Sequence, residues 1–237
     1  MSSTIVPLVM TDSTTLIQTA ELTWRDGALP ISTRFDDPYF SLNDGLAETR
    51  HVFLDGNGLP RRFTDGFHIA ELGFGTGLNM LASLLAWRAA GMETPLHFTS
   101  FEAFPMIAAD MDKALSAFPE IHAIAGPFLA KWASGKHRIE VDGLIADIII
   151  GDARDTLPFW NCKADAWFLD GFSPAKNPEL WGEGLLSEVA HHTAPNGSLA
   201  TYTAAGFVRR NLASAGFSVT RSTGYGRKRH MTTAVLS

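Results

Sequence analysis

His68-Ile69-Ala70-Glu71-Leu72-Gly73-Phe74-Gly75-Thr76-Gly77-Leu78-Asn79 reads as a strand, a tight turn and the opening of a helix. Glycine stands at three alternate positions, and an amphipathic segment over 78–90 follows. Glycine is needed where the chain takes positive φ or lets a ligand approach the backbone, and the first turn of a helix offers unpaired N–H donors. The G-x-G-x-G spacing differs from the G-x-G-x-x-G that cradles a dinucleotide pyrophosphate. Glu71, two residues before the first glycine, is expected to repel a phosphate and attract a cation such as S-adenosylmethionine, with its ammonium and sulfonium. Taken alone, the turn leaves open a nucleotide or no ligand at all.

The chain has 237 residues, 46% of them hydrophobic, enough for one substantial core. A single cysteine, Cys162, permits no internal disulfide, and the eight histidines are scattered without zinc-ligand spacing, so no metal is expected. The apolar run from Ile5 to Met10 lacks a basic flank and is far shorter than a membrane span, which points to a cytoplasmic protein with no membrane partner. The net charge of −6 argues against indiscriminate binding to polyanions while leaving room for a local basic patch.

Residues 1–67 are rich in turn signals. The alternation over 16–24 and the turn at 25–30 predict a hairpin, 35–41 an acidic and aromatic loop, and 44–54 a helix stopped by Asp55-Gly56-Asn57-Gly58. This segment is expected to form a small β-rich cap on a core spanning 68–237, the whole being one compact unit. From His68 onward strands and helices alternate, the pattern of a doubly wound, mostly parallel α/β sheet. Seven main strands are predicted, at 68–72, 96–101, 146–152, 164–170, 197–203, 217–221 and 231–236, with a short extra one at 137–143. Helices are predicted over 107–118, 128–134 and 208–215, and another starts from an Asn177 cap and Pro178 and runs to 189.

Ligands of an open parallel sheet bind beyond the carboxyl ends of its strands, so the residues standing there carry the information. Strand one ends in the glycine turn. Strand two ends at Glu102, whose carboxylate can accept from both ribose hydroxyls. Strand three ends at Gly151-Asp152-Ala153, where Asp152 can accept from an adenine amine, and strand four at Asp170-Gly171-Phe172-Ser173-Pro174, beside the reacting centre. One such acid is more often a cap or turn residue than a ligand contact; four in order behind a glycine turn describe a binding site.

The segments at 35–41 (FDDPYFS), 71–79, 97–102, 151–154 (GDAR), 165–178 (DAWFLDGFSPAKNP), 199–210 and 224–229 together resemble one family over nearly the whole chain. These are the methyltransferases that make 5-methylaminomethyl-2-thiouridine at the tRNA wobble position, known as the methyltransferase half of a bifunctional enzyme with a flavin-dependent oxidase half. The 165–178 run is highly specific, whereas the glycine turn is common to methyltransferases generally. The sequence departs from the family at Ala103, often a lysine, and at His230, often an acid. The resemblance implies a class I S-adenosylmethionine-dependent methyltransferase fold, Rossmann-like. It implies a stand-alone methyltransferase without FAD, whose tRNA substrate receives its aminomethyl group from an enzyme acting upstream.

The resemblance also implies site residues. The cofactor set is Glu71, Gly73, Phe74, Gly75, Gly77, Asn79, Glu102, Asp152, Ala153 and Asp170. Methyl transfer to a primary amine needs its neutral form, and Asp170 is expected to orient the amine, to accept its proton, or both. Phe172 and Pro174 would wall the pocket. Tyr39 would stack on the uracil or hydrogen-bond at the pocket mouth or, alternatively, pack the cap onto the sheet with Phe40. Lys176, Arg209, Arg210, Arg227, Lys228 and Arg229 are the expected contacts to the anticodon loop, with Arg61 and Arg62 as additions and a merely solvated face as the alternative. Rival functions are a small-molecule amine N-methyltransferase and a non-catalytic subunit that binds S-adenosylmethionine or a nucleotide.

Overall fold

The structure is a computed structural model and describes residues 18–41 and 44–236. The run from Ile5 to Met10 and the start of the 16–24 stretch lie outside the described residues. In chain order, β1 (Leu22–Arg25), β2 (Leu29–Ser32) and β3 (Asp37–Pro38) form a small antiparallel sheet, and α1 (Gly45–Thr49) follows. Asp44 caps α1 by accepting from Ala47 N, and the chain continues through a π-helical turn at Arg50–Leu54 and a 3-10 turn at Asp55–Asn57. Next come β4 (His68–Leu72), α2 (Leu78–Ala89), β5 (Leu96–Glu102), α3 (Ala108–Leu115), α4 (Pro119–Ala133), β6 (Arg138–Val141) and β7 (Leu144–Ile150). The remainder is α5 (Ala153–Thr156), β8 (Ala164–Leu169), α6 (Glu183–His191), β9 (Thr193–Thr201), α7 (Gly206–Ser214), β10 (Phe217–Thr223) and β11 (His230–Leu236).

The large sheet has the order β10-β11-β9-β8-β4-β5-β7-β6. The five inner strands from β9 to β7 pair in parallel, β11 runs antiparallel to both neighbours, and β6 folds back on β7. The sheet therefore has eight strands rather than seven, because the short extra strand pairs fully with β7 and becomes its edge. Central strands of such a sheet are buried on both faces, and alternate residues feed two cores. Ile69, Phe98 and Phe168 pack with α2, α3 and α4, whereas Ala70, Leu72, Trp167 and Leu169 pack with α6 and α7.

Two predicted helices need correction. The segment at 128–134 is the second half of a longer helix, α4, which begins with Pro119 at its first turn and carries Pro127 inside. Gly126-Pro127 reads as a break because proline removes one backbone donor; packing of Ile121, Ala125, Phe128 and Trp132 on the core carries the helix through it. The expected helix from Asn177 is split: Asn177 makes no side-chain cap bond, Pro178–Trp181 is a 3-10 turn, and extended Gly182 separates it from α6. Arg62 is also displaced from its expected place. Its guanidinium donates to the carbonyls of Asn57 and Asp165 and to Ser198 Oγ, joining the 3-10 turn to the amino-terminal ends of the strands, remote from their carboxyl ends.

The strand order reverses between β4 and β8, and there the carboxyl ends of the inner strands leave a crevice. Gly73 N donates to Phe101 O and Asp170 N to Leu72 O, so the loops leaving β4, β5 and β8 are tied together at that end.

Candidate active site

A cavity of about 560 Å³ fills this crevice. Its floor is the glycine turn. Gly73 has φ +91°, and a Cβ there would lie 2.7 Å from the carbonyl oxygen of Asp170, so only glycine lets β4 and β8 close together. Gly75 lies under the ring of Tyr39, with 3.1 Å between a would-be Cβ and Tyr39 Cδ1. Gly77 does not face the cavity; it starts α2 in the left-handed conformation, beside the Phe74 ring. Phe74 borders the cavity and anchors the turn by packing on Phe128 and Trp132.

The carboxyl groups at the strand ends divide into different kinds. Glu102 faces the cavity, accepting from Gly75 N at 2.9 Å and Phe104 N at 2.8 Å, which leaves lone pairs on both oxygens. Burial raises its pKa against the pull of those N–H groups. Asp152 also borders the cavity beside Ala153, but each oxygen accepts twice: Oδ1 from Arg154 N at 2.9 Å and Nε at 3.0 Å, and Oδ2 from Arg154 Nε at 3.1 Å and Nη2 at 2.6 Å. The hydrogen-bonded Arg154 holds Asp152 below the usual carboxylate range. The expected bond to an adenine amine therefore requires Arg154 to move, and Arg154, which also pairs with Glu179 at 2.9 Å, is itself a wall of the cavity.

Glu71 is corrected more sharply. It is fully buried behind the turn, where it accepts from Asn79 Nδ2 at 2.8 Å and Ser100 Oγ at 2.8 Å. Burial pushes its pKa well above the ordinary carboxylate range, and the charges of Asp170 and Glu102 add to the rise. Glu71 does not border the cavity, so it makes no direct contact with a ligand held there. Glu71 instead holds Asn79. That amide also donates to Asp170 Oδ2 at 2.7 Å, and its oxygen accepts from Thr49 Oγ1 at 2.8 Å. Both amide protons and the carbonyl are thus committed, which fixes the orientation of Asn79 and aims it at Asp170. Burial lifts Asp170 to about 7, with the Glu48 charge adding to the rise and the Asn79 bond and Lys228 opposing it.

The roof comes from the 35–41 loop. Phe35 stacks on Phe172 with centroids 4.6 Å apart, and Tyr39 meets Phe172 edge-on at 5.1 Å. Asp37 Oδ2 accepts from Ser173 N at 2.9 Å, and Lys176 binds both the carbonyl and the carboxylate of Asp36. Lys176 therefore serves as a latch between two loops and is not a free phosphate contact. Pro174 does not border the cavity, while Phe172 does. Burial raises the Tyr39 phenol above its ordinary range, with Glu102 adding to the effect, so it stays protonated.

At the far end the cavity is bordered by Glu48, Tyr202, Tyr225, Arg227 and Lys228. Tyr202 follows β9 and donates its hydroxyl to Gly171 O at 2.7 Å. Arg209 Nε donates to Ala204 O at 3.3 Å, and Arg210 and Arg229 are exposed outside the cavity. Reading the sequence missed Glu48, Thr49, Arg154 and Tyr202. Tyr202 carries a usable signal, since it stands at the end of a fifth parallel strand; Glu48 and Thr49 have none, because their partners are distant in the chain.

A family model described as S-adenosyl-L-methionine-dependent methyltransferase matches residues 119–237. Two similar curated proteins are both named tRNA 5-methylaminomethyl-2-thiouridine biosynthesis bifunctional protein MnmC. That of Stutzerimonas stutzeri is 46% identical over 228 residues, covering 90% of this chain and 34% of the relative. That of Aeromonas hydrophila subsp. hydrophila is 43% identical over 236 residues, covering 92% and 36%. The chain thus spans about a third of the length of the curated relatives it matches. Among solved structures, MNMC2 from Aquifex aeolicus is similar with a TM-score of 0.75 and 28% identity, covering 93% of this chain and 71% of that one. Among the described residues, no helix is long and apolar enough to cross a membrane.

Proposed function

This chain belongs to the S-adenosyl-L-methionine-dependent methyltransferases, and from that premise we propose that it methylates the primary amine of 5-aminomethyl-2-thiouridine at the tRNA wobble position. The observation that carries the reading is Asp170. Its carboxyl group titrates near neutrality between the glycine-turn floor and a mouth bordered by Tyr225, Arg227 and Lys228. Relatives that share 42–46% identity bear a name that specifies this nucleoside.

The residues present fit the cofactor. The glycine floor admits close backbone approach, Glu102 keeps acceptor capacity for ribose hydroxyls, and Asp170 offers a carboxylate to a cationic group. Bound S-adenosylmethionine supplies an electrophilic methyl group. Asp170 holds the incoming amine by hydrogen bond and takes up one of its protons, freeing the lone pair. Asn79 keeps the Asp170 carboxyl in place, and Phe172 with Tyr39 excludes water above it. Positioning nucleophile and methyl in line supplies much of the rate. Arg209, Arg210, Arg227, Lys228 and Arg229 would meet the anticodon-loop phosphates. Residues 18–41 and 44–67 act as the cap of a core spanning 68–236, and the enzyme works on tRNA in the cytoplasm.

The test is incubation with labelled S-adenosylmethionine and tRNA from cells lacking this methylation, followed by digestion to nucleosides. Label should appear in 5-methylaminomethyl-2-thiouridine. Label in no nucleoside, with cofactor binding intact, would favour the small-amine or non-catalytic alternatives.

A further inference from the structure

Lys228 occupies an unusual corner of the cavity. Its Nζ lies 2.8 Å from Glu48 Oε1 and 4.0 Å from the centroid of the Tyr202 ring. The Glu48 side chain is only 13% exposed, and it comes from the cap helix α1, whereas Lys228 comes from the β10–β11 loop. The Tyr202 hydroxyl is spent on Gly171 O, the carbonyl next to Asp170, so its ring is held in place and offers its face. One aromatic face and the Glu48 carboxylate thus surround a primary ammonium, with the Asp170 carboxyl bordering the same cavity.

The geometry points to this corner as the binding site for the substrate's primary alkylammonium, with Lys228 as its internal occupant until the substrate arrives. The inference deepens the tRNA reading above and rests on it for the identity of the amine. An ammonium on a short alkyl stem is what such a corner recognises: the ring quadrupole and a desolvated carboxylate both favour it. A neutral substituent gains neither, and one ending in a carboxylate meets Glu48 as a like charge. Entry of the substrate ammonium displaces Lys228, whose side chain is already 46% exposed and stands between Arg227 and Arg229, where an RNA phosphate can receive it. The bound ammonium then passes one proton to the Asp170 carboxylate, leaving a neutral amine and a neutral acid. The freed lone pair forms the nitrogen–methyl bond as the sulfur–methyl bond breaks, giving a thioether and a methylated ammonium.

An ordinary structural ion pair predicts no gain in ammonium binding when Lys228 is removed, so the two are separable. Calorimetry on the complex with S-adenosylhomocysteine would use n-butylammonium as probe and n-butanol as neutral control. Lys228→Met should bind the probe at least about 5-fold more tightly than the wild type because the occupant is gone, and adding Glu48→Gln should lose about 10-fold or more. In tRNA methylation, Glu48→Gln should raise KM for tRNA about 10-fold while the Kd for S-adenosylmethionine stays within about 2-fold, a readout that also reports folding. Lys228→Met binding no tighter than wild type, or an unchanged KM in Glu48→Gln, overturns the site. If the wild type methylates no tRNA while Lys228→Met still gains the probe, the tRNA reading fails and the ammonium site stands.

Discussion

Asp170 should govern the pH dependence of the site. Its pKa in the folded chain is raised to about 7, so the neutral acid is favoured below that value and ionisation in the empty site opposes folding. The sign follows: this contribution to stability is fully present below the ordinary aspartate pKa and is lost as pH climbs through about 7. A cationic cofactor reverses the preference, because it stabilises the carboxylate. Binding of S-adenosylmethionine at pH 6 should therefore release a substantial fraction of a proton, measurable by calorimetry in buffers of different ionisation enthalpy, and Asp170→Asn should abolish that release. The kcat/KM for S-adenosylmethionine, which reports the free enzyme, should rise with pH through an inflection near 7; a flat profile would remove Asp170 as the proton acceptor. Thr49 acts one bond further out. Thr49→Val keeps the shape but frees the Asn79 amide to turn its oxygen toward Asp170. A loss of about 10-fold in kcat is expected, with a stability cost of about 1–2 kcal/mol, read from single-turnover rates and thermal melts.

At the scale of elements, two loops make the cavity and each has its own weak point. The glycine turn depends on Gly73, where alanine would combine a strained φ of +91° with a Cβ 2.7 Å from a carbonyl oxygen. Gly73→Ala should cost about 2–4 kcal/mol or prevent folding, seen as a large fall in Tm. The cap loop is held by Asp37, which accepts from Ser173 N and stands 3.8 Å from Lys176 Nζ. Asp37→Ala should leave the sheet intact but release the roof. The outcome to measure is cofactor affinity about 10-fold weaker and faster tryptic cleavage after Arg34, with Tm nearly unchanged. Equal cleavage rates would mean that Phe35 and Tyr39 hold the roof through Phe172 without help. Helix α4 carries a separate lesson at this scale: burial of one apolar face overrides the local veto of Pro127.

For the whole molecule, the contrast is between a net charge of −6 and the exposed arginines Arg210, Arg227 and Arg229, of which Arg227 borders the cavity. Such a surface should bind RNA at defined phosphates and not elsewhere. The triple variant Arg210→Ala, Arg227→Ala, Arg229→Ala should weaken binding of an anticodon stem-loop and lower the slope of log affinity against log salt by about 2. Salt titrations in which both slopes coincide would show the face to be merely solvated. The parallel sheet, the order of its strands and the carboxyl-end crevice give this surface its place, because the loop that carries Arg227 and Arg229 joins β10 to β11 at the same end as Asp170.

The sequence by itself determined the α/β fold and the position of the crevice. Strand period, the glycine turn and the residues at the strand ends are local signals, each complete within a few residues, and the parallel sheet built from them is the one observed. It also brought Glu102, Asp170 and Phe172 to one cavity on strand ends alone. Only the tertiary structure decided the place of Glu71, because full burial behind the turn made it an anchor for Asn79 and not a cavity-facing group. It alone joined Glu48 to Lys228 and Asp37 to Ser173, pairs separated by 180 and 136 residues. Local chemistry fixes where a strand ends, whereas desolvation and long-range pairing exist only once the chain has closed around the site.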